Sequence, residues 1–338
     1  CLSKSVTVIA PALLLAQDFW LRRRPELRLY LGSIGVSLVA AALHIAVGSN
    51  VGMTTELAGG SRATALITMG PVWFRYLQAL IWPASLSAIY DVPTRSTWDL
   101  PALAGYVVLV GWGLLGIALW RRRDERQLLF ALAWFLVPLL PVSQLVFPLE
   151  NRMADRYLLL SVGAAAVGAA WLARNELALA LFAFAAAALA IATERRAVLF
   201  SDSVALFEDA TAKTRESPVA PYQLGQALEA RASWASAAGA YREALRRASS
   251  DAELGRRATN GLAHAYVNGG NLADAEQVLL SGRVRWPKDP KMLVNLAVVT
   301  GALGKKPQAR QLYLELKRDF PKYAAELEAE LEQGRGAH

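Results

Sequence analysis

Apolar residues run in long, nearly uncharged blocks up to about Thr193 and in helical stripes beyond it, so the hydrophobic pattern divides the chain before any motif is read. The first part holds six blocks of about 16 to 21 residues: Val6 to Leu21, Leu27 to Val47, Pro101 to Trp120, Gln127 to Phe147, Tyr157 to Ala173 and Leu177 to Thr193. Blocks of that length cross the hydrocarbon core of a bilayer as helices. Residues 1–196 therefore read as a polytopic transmembrane helical bundle, an integral membrane body whose first partner is the lipid bilayer. A seventh apolar stretch, Ala63 to Tyr90, carries Arg75 mid-stretch, the amphipathic aromatics Trp73, Phe74, Tyr76 and Trp82, and the helix-breaking Pro83. Those features favour a re-entrant or interfacial helix, the alternative being a tilted span.

Residues 197–338 change period. Three windows, 218–250, 256–288 and 290–322, fit the tetratricopeptide (TPR) pattern, in which small residues let paired antiparallel helices approach and larger ones fill the space between pairs. The packing positions are Leu224, Gly225, Ala237, Tyr241 and Ala244; then Leu262, Ala263, Tyr266, Ala275, Leu279 and Pro287; then Leu296, Ala297, Ala309, Tyr313 and Pro321. Ala275 to Ala309 is 34 residues and Ala237 to Ala275 is 38, which places about four extra residues near "SSDAELGRR". Leu206 and Phe207 precede the array as a cap, and Tyr323 to Leu331 close it. The fold class is thus all-α: a transmembrane bundle followed by a TPR α-solenoid. Such an array offers a concave groove to a protein or peptide partner, or serves as a spacer or dimer contact.

Charge refines the division. From Ser201 onward there are 19 Lys and Arg against 17 Asp and Glu, a balance of +2, so +6 of the total +8 lies in the apolar part. Most of the excess sits in short loops beside apolar segments, chiefly "LRRRPELR" and "RRRDER", which reads as a topology signal and not as a nucleic-acid surface. Both loops are then cytoplasmic, "PLENRMADR" is outside, and the last apolar block delivers the array to the extracytoplasmic face of the membrane, the inner membrane in a bacterial cell. The single cysteine, Cys1, allows no disulfide framework and no cysteine metal site. With no initiator Met and no signal-peptide charge pattern, the chain reads as an internal segment lacking its true N-terminus.

The segment "MADRYLLL" (Met153 to Leu160) resembles the signature of TPR-bearing polytopic proteins related to the transmembrane O-mannosyltransferases that act on cadherins. "LSKSVTVIAPALLLAQDFWLRR", "YLQALIWPASLSAIYDVP" and "FSDSVALFEDATAKTRESPVAPYQLG" are similar to the same family in the same order. The resemblance implies a C-type glycosyltransferase fold that takes sugar from a polyprenyl-phosphate donor, with the array presenting the acceptor protein. It also implies a catalytic acid in the first outer loop, upstream of Cys1.

Such a reaction needs cations at the outer membrane face to hold the donor phosphate. Arg156, Arg152, Tyr157 and Lys4 are the candidates. The competing reading has Arg152 and Arg156 anchoring lipid headgroups or pairing with Glu150 and Asp155, which would structure the loop. Asp18 can pair with Arg22 to Arg24, His44 reads as an interhelical hydrogen-bonding group, and His264 as a packed or exposed residue of the array. The sequence carries no GxGxxG, Walker A loop, HExxH or GxSxG, and no cofactor beyond the lipid-linked sugar substrate is evident. Two functions remain open: a lipid-linked-sugar protein glycosyltransferase, and a non-catalytic membrane-held TPR adaptor for envelope complexes.

Overall fold

A computed structural model describes residues 9–50, 57–121, 126–144, 151–173, 175–248 and 252–335. Among them every regular element is helical and no strand occurs, so the chain is all-α. It divides into two compact units, Cys1–Arg195 and Arg196–His338.

The first unit contains α1 (Ala10–Leu21), α2 (Leu27–Asn50), α3 (Arg62–Ile81), α4 (Leu100–Arg121), α5 (Arg126–Leu136), α6 (Ser161–Leu172) and most of α7 (Glu176–Ser201). Among the described residues, α4 and α7, with 22 and 26 residues, are long and apolar enough to cross a membrane by length and composition. The block 27–47 forms one helix within α2, while three other expected blocks differ. The block 127–147 is not one helix, because Pro138 and Pro141 cannot donate a backbone hydrogen bond: α5 stops at Leu136 and a 3-10 turn follows at Val137–Leu139. α6 starts at Ser161 instead of Tyr157, since Asp155–Leu158 is wound as a 3-10 turn. α1 covers 12 residues, about 18 Å of helix.

The seventh stretch forms the best-buried helix of this unit. α3 is capped by Ser61, whose hydroxyl accepts the Thr64 N–H at 3.2 Å, and it ends before Pro83, which disfavours helical geometry at Trp82. Its Met69, Val72, Trp73 and Tyr76 pack with Phe135, Leu139, Val142, Met153 and Leu158. On the other side Gly70 meets Ala102 and Gly105 of α4 so closely that neither glycine has room for a Cβ. Among the described residues the Asp18 carboxylate makes no ion pair with the arginines after it; it accepts the Tyr30 hydroxyl at 2.8 Å, joining α1 to α2.

The second unit continues through α8 (Ser203–Lys213), α9 (Val219–Glu229), α10 (Trp234–Arg247), α11 (Ala252–Asn268), α12 (Leu272–Arg285), α13 (Pro290–Ala302), α14 (Lys306–Asp319) and α15 (Pro321–Arg335). Each helix packs on the next, and α9, α11, α13 and α15 also touch in sequence along one side. Small residues make this possible. The Tyr241 ring of α10 sits where a Cβ on Gly225 of α9 or Gly261 of α11 would come within 2.6 or 2.7 Å of it. Ala237, Ala244, Ala275, Leu279, Leu262, Ala263, Leu296 and Ala297 are buried as their spacing predicts, whereas Leu224, Tyr266, Ala309 and Tyr313 are half-buried and Pro321 opens α15 exposed. The four extra residues near Ala252 lengthen α11, which runs 17 residues against 11 in α9 and 13 in α13. Gly270 and Gly304, at φ of 81° and 77°, make the left-handed turns between paired helices.

Candidate functional site

Two segments far apart in sequence meet beside the C-terminal half of α3: residues 86–92 and residues 151–158. Arg75, on α3, donates from Nη1 to the Asp91 carbonyl at 2.6 Å, and Arg152 donates from Nη1 to the Val92 carbonyl at 2.7 Å. The Tyr76 hydroxyl of α3 accepts the Ala154 N–H at 3.4 Å. Between them, the Tyr90 hydroxyl accepts the Ser87 N–H at 3.0 Å and donates to the Asp155 carboxylate. These bonds satisfy backbone groups that irregular segments would otherwise leave unpaired, so the corner has one defined path.

The candidate cations separate sharply within this corner. Arg152 is half-buried and spends its guanidinium on loop backbone; burial pushes its pKa below the ordinary arginine value, though an arginine stays charged. It is a structural cation. Arg156 is exposed, with its guanidinium 5.3 Å from the centre of the Tyr157 ring, and among the described residues it makes no ion pair. Asp155 is engaged by Tyr90, and Tyr157 donates weakly from its hydroxyl to the Asn151 carbonyl at 3.4 Å. Lys4 and Glu150 lie outside the described residues. Of the cations expected to hold a phosphate, Arg156 is the one the described corner presents outward.

Tyr90, Tyr76 and Arg75 were missed as parts of this corner by sequence reasoning. Each looks like an ordinary interfacial aromatic or a charge interrupting an apolar stretch, and their partners lie 65, 78 and 16 residues away. No local spacing encodes contacts at those separations.

In the second unit, Asn260 of α11, Lys291, Val294 and Asn295 of α13, and Tyr323 and Glu326 of α15 line a cleft of about 210 Å³. Asn295 donates from Nδ2 to Asn260 Oδ1 at 3.0 Å, so the two amides form one polar strip along the side where alternate helices touch. His264 is exposed, with Nδ1 2.9 Å from a Glu229 carboxylate oxygen whose partner oxygen accepts the Tyr241 hydroxyl at 2.9 Å. The Tyr241 pKa is raised, first by burial and then by the Glu229 charge, so this phenol stays protonated. That arrangement is a packing network that locks α9, α10 and α11. Among the described residues no group of three or more His, Cys, Asp or Glu is placed to hold a metal.

No protein-family model matches the chain, and no curated protein matches it.

Proposed function

We propose that the chain is a polytopic membrane component of a protein glycosyltransferase, binding a polyprenyl-phosphate sugar donor at the corner around Arg156 and holding its acceptor or partner protein with an extracytoplasmic TPR solenoid. The observation that carries this reading is Arg156: an exposed guanidinium with no ion-pair partner among the described residues, held at the head of the apolar helix α6. In sugar transfer the acceptor oxygen attacks the anomeric carbon while the bond from that carbon to the donor phosphate breaks. The departing phosphate gains charge, and a fixed bidentate cation stabilises it most at that moment.

Two further features support the reading. The helices of the first unit carry large apolar side chains outward, including Leu177, Leu181 and Phe184 on α7, which suits lipid and not water. The second unit pairs a 34-residue spacing with a largely apolar cleft carrying the Asn260 and Asn295 amides, which could bond the backbone of an extended peptide. The outer placement of the array follows from the arginine-rich loops read by the positive-inside rule.

The test is Arg156→Ala in the full chain, assayed for sugar transfer to protein in membranes. Transfer should fall about 100- to 1,000-fold with insertion unchanged, the usual effect of removing one donor to a developing anion. Undiminished transfer would remove Arg156 from the site and favour the adaptor reading.

A further inference from the structure

An aspartate directly before an exposed arginine is the obvious competitor for that arginine's charge. At this corner the competitor is occupied, because the Tyr90 hydroxyl, fixed from behind by the Ser87 N–H, donates to the Asp155 carboxylate. Arg75 and Arg152 hold the carbonyls of Asp91 and Val92, so the segment is pinned immediately after Tyr90. Asp155 begins its 3-10 turn and is half-buried, while Arg156 next to it is exposed and rests over Tyr157.

We propose that Tyr90 is a positioning residue that draws Asp155 away from Arg156 and so keeps the guanidinium available to a lipid-linked phosphate. The inference rests on the reading of Arg156 as the phosphate-binding cation. Its physical content is a competition for one charge. A carboxylate satisfied by a phenol and held inward contributes little to neutralising a neighbouring surface cation, whereas one released from the phenol turns to the nearest guanidinium. Tyr90 lies 65 residues from Asp155, so only the folded chain brings the two together.

This role gives a sign pattern that plain loop support does not. In nanodiscs of phosphatidylcholine, the full chain is titrated with undecaprenyl phosphate. Arg156→Ala should weaken binding about tenfold, and Tyr90→Phe, which leaves Arg156 intact, should weaken it about three- to tenfold. The double change Tyr90→Phe with Asp155→Asn should restore binding to near the unaltered level, because the amide no longer competes for the guanidinium. If the double variant binds as poorly as Tyr90→Phe or worse, the phenol merely supports the loop and the inference is overturned. An unchanged affinity in Tyr90→Phe overturns it equally. If Arg156→Ala itself binds like the unaltered chain, or the unaltered chain does not bind, the reading of the site fails and this inference with it. Phosphatidylglycerol at the same mole fraction and free inorganic phosphate are run in parallel. Competition by phosphatidylglycerol at equal strength would identify a general headgroup anchor and overturn the selective role, whereas weak competition by both keeps the polyprenyl phosphate as ligand.

Discussion

Both units are built from helices alone, yet they treat apolar side chains in opposite ways. α7 buries none of the residues of its apolar run and carries Phe184 at 76% exposure, while α10 turns Ala237, Tyr241 and Ala244 into a closed core and shows arginines outside. On the membrane placement proposed above, the difference is one of solvent. A helix in water hides a stripe and is amphipathic, whereas a helix in lipid can be apolar on every side because its backbone is already satisfied internally. The polar work of the first unit is therefore concentrated where its helices end, at residues 86–92 and 151–158. That of the second is spread along the sides of α11, α13 and α15.

The contrast breaks most visibly if the array's core does not depend on its wedged tyrosine. Tyr241→Ala should cost the second unit about 3–5 kcal/mol, read as an earlier thermal transition, while undecaprenyl phosphate binding at the folded first unit stays unchanged. A transition that does not move would mean that the close approach of Gly225 and Gly261 contributes nothing to the packing.

A matched pair of substitutions sharpens the comparison further. Phe184 on α7 and Val284 on α12 are similarly exposed, at 76% and 86%, but the proposal gives them different surroundings. Phe184→Asp should disfavour membrane insertion by about 3 kcal/mol, measured as the glycosylated fraction in an insertion assay, whereas Val284→Asp should change stability by less than about 0.5 kcal/mol. Equal, small effects at both positions would contradict a lipid-facing α7.

The smallest effect concerns the array's acid stability. Hydrogen bonds from Arg246, and then from Arg247, hold the Glu243 carboxyl down at about 2 from an ordinary 4.5. A carboxyl depressed on folding stabilises above its unfolded pKa and loses that contribution as pH falls toward its folded value. The difference in melting temperature between the unaltered chain and Glu243→Gln should therefore be present at pH 6 and shrink between about pH 4.5 and 2. The difference stays modest because Arg246, whose hydrogen bond contributes most, is largely exposed and Glu243 is partly so. A difference independent of pH would assign it to packing.

Much of the array was legible because its constraints are periodic. The spacing from Ala275 to Ala309, the small residues at Gly225 and Ala237, and the glycine turns are each local consequences of pairing two helices, so they recur in the sequence. The extra residues near Ala252 could be counted but not placed; only the packed chain assigns them to the start of α11. In the first unit the apolar blocks were legible and their ends were not. Pro138 and Pro141 shorten a block that hydropathy alone reads as continuous, since hydropathy counts carbon and ignores the missing N–H.

Composition and period alone determined that the regular elements of this chain are helices, as they are among the described residues, that its character changes near Thr193, and that arginine is the main cation of its short loops. Which arginine points outward was decided only by the tertiary structure. Arg152 and Arg156 are equivalent as letters, four residues apart in one short segment; folding gives the first to the Val92 carbonyl and leaves the second exposed beside an aspartate already held by Tyr90. Helical period follows from the geometry of neighbouring residues, whereas the availability of a charge depends on groups that reach it from 65 residues away.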